Sequence, residues 1–214
     1  TSIHDVGFYG AETIGLFQKA YEEDIIKTRM YHLLYNTYGK NDTIQWIDKF
    51  ISTGIRGGLG NEHFKLGHVK ILIDGSTSGP SCSTKLPYCH DPNLKGIQLY
   101  TQEEADEVLI KAHNAGSNVT AHAVGDAAVA VVVTAIEKAI AQNPRPCRHR
   151  IEHCGLTDEN LLNRIAAAGI VPISNPGFFN ENAEAYVKYY GDRVNSMFPL
   201  KSYRDKGIIT ALGS

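Results

Sequence analysis

The chain alternates between two kinds of stretch, and that alternation constrains its fold more than any other feature. Seven runs rich in β-branched and aromatic residues read as strands: 1–5, 28–36, 68–73, 118–122, 148–153, 170–174 and 208–214. Between them lie stretches with helical spacing, at 11–23, 43–53, 101–116, 127–141, 157–169, 181–190 and 200–205. Boundary signals agree with this division. Thr101-Gln102-Glu103-Glu104 has the pattern of a capping box, and Asn143-Pro144 stops the helix before the fifth strand. Strands joined by helices return in the same direction, so the expected fold class is α/β with a parallel sheet or barrel. In such folds the loops after the C-terminal strand ends carry the chemistry.

One connection breaks the rhythm. Residues 76–96 show no periodicity and are dominated by Gly, Pro, Ser, Thr and Cys. Loops longer than about 12–15 residues are usually functional or disordered. This one is expected to set specificity.

With 214 residues, the chain suffices for one sizeable domain, read here as a single unit over 1–214. A net charge of −2 argues against nucleic acid, and no apolar run reaches the roughly 20 residues of a membrane span. A small-molecule substrate is the expected partner. Four cysteines (Cys82, Cys89, Cys147, Cys154) form no CxxC pair, which argues against a zinc knuckle or a thioredoxin-type site. They are read as reduced thiols of a cytoplasmic protein. Both ends of the chain fall inside strand-like runs, so an incomplete domain cut from a larger protein is expected. Apolar surface left exposed by such a cut would favour a homo-oligomer.

Three residues stand out as candidates for chemistry. His122 closes the fourth strand and leads through Ala123-Val124-Gly125 into a helix that Asp126 is expected to cap. His153 closes the fifth. Lys70 lies within the third strand, where period 2 puts it on one face with His68 and Leu72. Burial favours a neutral amine, which can form a carbamate that ligates metal or a Schiff base with a carbonyl compound. A structural lysine paired with Asp74 is the plainer alternative. Two strand-end histidines together with a strand lysine favour a metal site. Glu152 has opposite parity to His153 and is expected to face the helices, paired with Arg148 or Arg150. His4-Asp5 ends the first strand as a simple cap. His32, His63, His90 and His113 are expected at the surface. The cysteines are read as core or loop residues, with Cys154 able to line the site.

Val69-Lys70-Ile71-Leu72-Ile73-Asp74-Gly75-Ser76, Leu86-Pro87-Tyr88, His122-Ala123-Val124-Gly125-Asp126 and His149-Arg150-Ile151-Glu152-His153 occur in that order. Together they resemble the amidohydrolase-3 family of metal-dependent amidohydrolases, the branch that includes N-substituted formamide deformylases. The resemblance implies strands 2 to 8 of a TIM (β/α)8 barrel. It implies a hydrolase acting on non-peptide carbon–nitrogen bonds with one or two divalent metals, zinc above all. Lys70 corresponds to the carboxylated, metal-bridging lysine, and His122 and His153 to the histidines of the second metal. The family's His-x-His pair is absent, and the chain ends at Ser214, where the aspartate after the family's final Gly-Ser would follow. The chain alone is therefore expected to be inactive. Where many members carry Arg-Thr-Ala, this chain has Ser78-Gly79-Pro80-Ser81-Cys82-Ser83-Thr84. Two rival readings remain: a Schiff-base lyase or aldolase with Lys70 as nucleophile, and a non-catalytic binding module that keeps the fold.

Overall fold

The computed structural model describes residues 2–7, 11–35 and 39–213. Its strands are β1 (Ser2–Asp5), β2 (Arg29–Leu34), β3 (Phe64–Leu72), β4 (Val119–Ala123), β5 (Arg150–His153), β6 (Val171–Ser174) and β7 (Ala211–Leu212). Its helices are α1 (Ala11–Glu22), α2 (Lys40–Ser52), α3 (Gln102–Asn114), α4 (Asp126–Gln142), α5 (Glu159–Ala168), α6 (Gly177–Tyr190) and α7 (Leu200–Asp205). The strands hydrogen-bond in chain order from β1 to β7. The β1–β2, β2–β3, β5–β6 and β6–β7 ladders are parallel, as helical crossovers require.

The alternation read from the sequence is the alternation observed, with shifted boundaries. β3 begins at Phe64, four residues before the expected start at His68. α6 begins at Gly177 rather than near 181, and β7 is two residues long. The expected strand ends at Thr1, Asn36 and Ser214 lie outside the described residues.

The chain divides into two compact units: one of residues 1–71 and 108–120, the other of residues 72–107 and 121–214. In the first, α2 buries Thr43, Ile47 and Phe50, a stripe at helical spacing. His32 is buried between the rings of Phe17 and Phe64, with Nδ1 3.3 Å from an Asp5 carboxylate oxygen. It is not a surface residue, and Asp5 does more than cap. β1 is exposed over Ser2, Ile3 and His4.

In the second unit, α4 buries eight residues along one broad face, while Ala130, Thr134, Glu137 and Lys138 on the opposite side stay partly or fully exposed. Asp158 caps α5 by accepting the Leu161 N–H at 2.8 Å, and Gly169 ends that helix in the left-handed conformation. The capping box before α3 is present: Glu104 N–H donates to Thr101 Oγ1 at 3.3 Å, and Thr101 N–H to Glu104 Oε2 at 2.9 Å. A core of Cys82, Tyr88, Val124, Leu156, Tyr186, Tyr190, Met197 and Phe198 joins the 76–96 loop to α6.

Candidate functional site

Two histidines meet at the C-terminal strand ends of the second unit. His122 is the penultimate residue of β4 and His153 the last of β5, and their ring centroids are 4.7 Å apart at 75°. Each ring has one nitrogen fixed. Nε2 of His122 lies 2.8 Å from the Gly75 carbonyl oxygen, and because a carbonyl only accepts, that nitrogen carries the proton. Nδ1 of His153 lies 2.8 Å from Oδ1 of Asn175, just past β6. Such outer partners set the tautomer and orientation of imidazole ligands in metal sites. The turns that follow are stitched together, because Leu156 N–H donates to the Val124 carbonyl at 2.8 Å. A Cβ on Gly155 would come within 2.8 Å of Val124 Cγ1, so only glycine permits this approach.

The backbone at the β5 end is strained. His153 has φ +72° and Cys154 φ +47°, consecutive L-residues in the left-handed region. Strain of this kind persists only where its surroundings enforce it, and it gathers at functional sites. Here the Tyr203 hydroxyl donates to the Cys154 carbonyl at 3.1 Å. The thiol of Cys154 is fully buried, and desolvation pushes its pKa up to about 12. It packs inward and is unreactive rather than a group that lines the site. The Phe178 ring stacks on His153 at 5.8 Å, so an aromatic wall flanks the pair.

Asp74 lies two residues past the end of β3 and is 1% exposed. Its carboxylate accepts N–H groups from Val124 (3.0 Å), Gly125 (2.8 Å) and Ser83 (3.0 Å). Its Oδ1 also lies 3.5 Å from His122 Nε2. Desolvation pushes the Asp74 pKa up to about 7, against the three donors that favour the anion.

Lys70 belongs to the first unit. It is 6% exposed in β3, with its ammonium nitrogen 5.6 Å from the centroid of the Tyr35 ring. The buried strand lysine expected from the sequence is present, and His68, on the same face, is buried with it.

Other expectations divide. Asp126 does not cap α4: Gly125 holds that position without a side-chain bond, and the Asp126 carboxylate instead accepts the Lys85 N–H at 2.9 Å. Glu152 pairs with Arg150, both buried, as its parity suggested. His113 is buried rather than superficial, while His63 and His90 are exposed. All four cysteines are free thiols. Sequence reasoning overlooked Asp74 and Asn175 as partners of the histidines. A signal existed, since both are polar residues just past a strand end, the same address as His122 and His153.

Comparison with known proteins agrees with the geometry. The model of the amidohydrolase family matches residues 9–214. YtcJ of Bacillus subtilis (strain 168), provisionally named an amidohydrolase, is 33% identical over 158 residues, which is 73% of this chain and 29% of YtcJ. The N-substituted formamide deformylase of Arthrobacter pascens is 26% identical over 180 residues, 82% of this chain and 31% of that protein. This chain thus spans less than a third of the length of either relative. An uncharacterized metal-dependent hydrolase from Pyrococcus furiosus superposes on the whole chain and 42% of its own, with a TM-score of 0.81 at 22% identity. That likeness shows the fold, a partial TIM (β/α)8 barrel. No helix among the described residues is long and apolar enough to cross a membrane. Strand order, the paired histidines and a match over nearly its full length agree: the chain belongs to the amidohydrolase family.

Proposed function

We propose that this chain carries part of the active site of a metal-dependent hydrolase that cleaves non-peptide carbon–nitrogen bonds of a small molecule. The observation that carries this reading is the His122–His153 pair, with rings 4.7 Å apart and each turned by a separate acceptor. The donor set fits a divalent cation, zinc first among them, because neutral imidazoles suit that ion. The imidazoles of His122 and His153 would hold that ion. Lys70 enters this proposal through the family resemblance alone, as a buried amine able to form a carbamate with carbon dioxide. A cation held there supplies Lewis acidity for activating water and polarising an amide oxygen.

The chain's own residues perform the rest. Gly75 and Asn175 hold the imidazoles in the required tautomers. Phe178 flanks His153 and excludes water from one side of the pair. The 76–96 loop, locked to α6 through buried tyrosines, shapes the substrate side. The name of the Arthrobacter pascens relative supports the choice of bond. Four free thiols support a cytoplasmic protein.

Elemental analysis of the full-length protein beside its His153→Ala variant tests the proposal. About one or two equivalents of zinc in the parent, lost in the variant together with chelator-sensitive amide or formamide hydrolysis, are expected. A folded, metal-free protein whose Lys70 is trapped by borohydride with a carbonyl compound would overturn it in favour of Schiff-base chemistry.

A further inference from the structure

Asp74 has no role in that chemistry, yet it is the most enclosed carboxylate near the histidines. We propose that Asp74 is a positioning residue that fixes His122 by gripping the turn after β4 and the 76–96 loop at once. The inference rests on the reading of His122 as a metal ligand.

Residue 122 is held from two sides by one dipeptide. Gly75 takes the ring through its carbonyl, 2.8 Å from Nε2. Asp74 takes the backbone two and three residues further on, with Oδ1 on Val124 N–H and Oδ2 on Gly125 N–H. The Ser83 N–H, also on Oδ2, brings the long loop into the same grip. Packing there is close. A Cβ on Gly125 would lie 1.9 Å from the Ser83 carbonyl oxygen, and that oxygen also accepts the Ala127 N–H at 3.2 Å.

Burying a carboxylate is costly unless donors surround it, and three backbone donors do so here. Among side chains of this size, only an ionised carboxylate accepts on both oxygens. Asparagine keeps the shape but turns an N–H₂ group towards one set of donors. Asp74→Asn therefore loosens the grip without opening a cavity.

The test uses the full-length protein, with zinc affinity by chelator competition and the absorption spectrum of the cobalt-substituted form. Asp74→Asn is expected to weaken zinc binding by about 10- to 100-fold, as outer-shell changes do, and to alter the cobalt spectrum. Thr77→Val is the control. It breaks a 2.7 Å hydrogen bond to Tyr186 in the same loop and should lower the melting temperature with both metal readouts unchanged. If Asp74→Asn behaves like Thr77→Val, Asp74 is structural only and the inference falls.

A second measurement needs no variant. Coupling is reciprocal, so zinc must tighten the grip in the wild-type protein. Amide exchange at Ser83, Val124 and Gly125 should slow on zinc addition, and unchanged exchange overturns the inference. A wild-type protein that takes up neither zinc nor cobalt instead overturns the metal-site reading, and this inference with it.

Discussion

At the end of β4 the backbone through His122 is unstrained and the constraint comes from outside, from Asp74 and Gly75. At the end of β5 the constraint is in the chain itself, where His153 and Cys154 sit in the left-handed region. Left-handed geometry costs roughly 1–2 kcal/mol for each such residue. Tyr203 holds that end through the Cys154 carbonyl and Asn175 through the His153 ring. The two rings meet all the same. One strand end is positioned by a distant anion and the other by stored strain, so the two should fail differently.

The largest break is expected at Gly125. Alanine there meets the Ser83 carbonyl oxygen at 1.9 Å, so backbone must move, and urea unfolding should show a loss of more than about 3 kcal/mol. Gly155→Ala, on the β5 side, meets Val124 Cγ1 at 2.8 Å, part of which a side-chain shift can relieve. A smaller loss of about 1–3 kcal/mol is expected there. If Gly155 proves the more sensitive, the β5 turn is the stiffer of the two. Asn175→Ala removes the partner of His153 Nδ1. Zinc affinity, read by competition, should fall at least about tenfold. Tyr203→Phe takes one hydrogen bond from the strained turn and should cost about 1 kcal/mol in thermal unfolding, without changing metal content.

The smallest effect concerns Cys82, whose thiol burial pushes up to about 11 from an ordinary 9.0. The unfolded chain loses this proton first, so the buried thiol costs nothing below pH 9 and lowers stability as pH rises from 9 towards 11. Between pH 7 and pH 9.5 the stability difference between wild type and Cys82→Ala, followed by urea unfolding, should change by under about 1 kcal/mol.

The same comparison explains what could be read in advance. Strand–helix alternation, the Thr101 capping box and the Arg150–Glu152 pairing are local, within four residues, and all were legible. The addresses of His122 and His153 followed from strand ends. Asp74 was not legible as a grip, because its partners lie 9, 50 and 51 residues away and an Asp-Gly pair reads simply as a turn. Asp126 was misread for the reverse reason: a good local cap was overridden by the Lys85 N–H, 41 residues distant. His113 continues the buried stripe of Ala105, Val108, Leu109 and Ala112 at helical spacing, so its burial was legible, whereas His32 is enclosed by the distant rings of Phe17 and Phe64.

The tyrosine lock on the 76–96 loop has a consequence in time. Thr77 bonds Tyr186 across 109 residues, Cys82 bonds Tyr190 across 108, and Arg193 reaches the Leu86 carbonyl across 107. A ribosome that has just released the loop must add all of those residues before any of these partners exists, roughly 5–20 s at cellular elongation rates. Until then the loop is held only by nearer partners, Asp74 through the Ser83 N–H and Asp126 through the Lys85 N–H. The strands and helices around it can form early from near neighbours, whereas the tyrosine lock waits for residues more than a hundred positions further on.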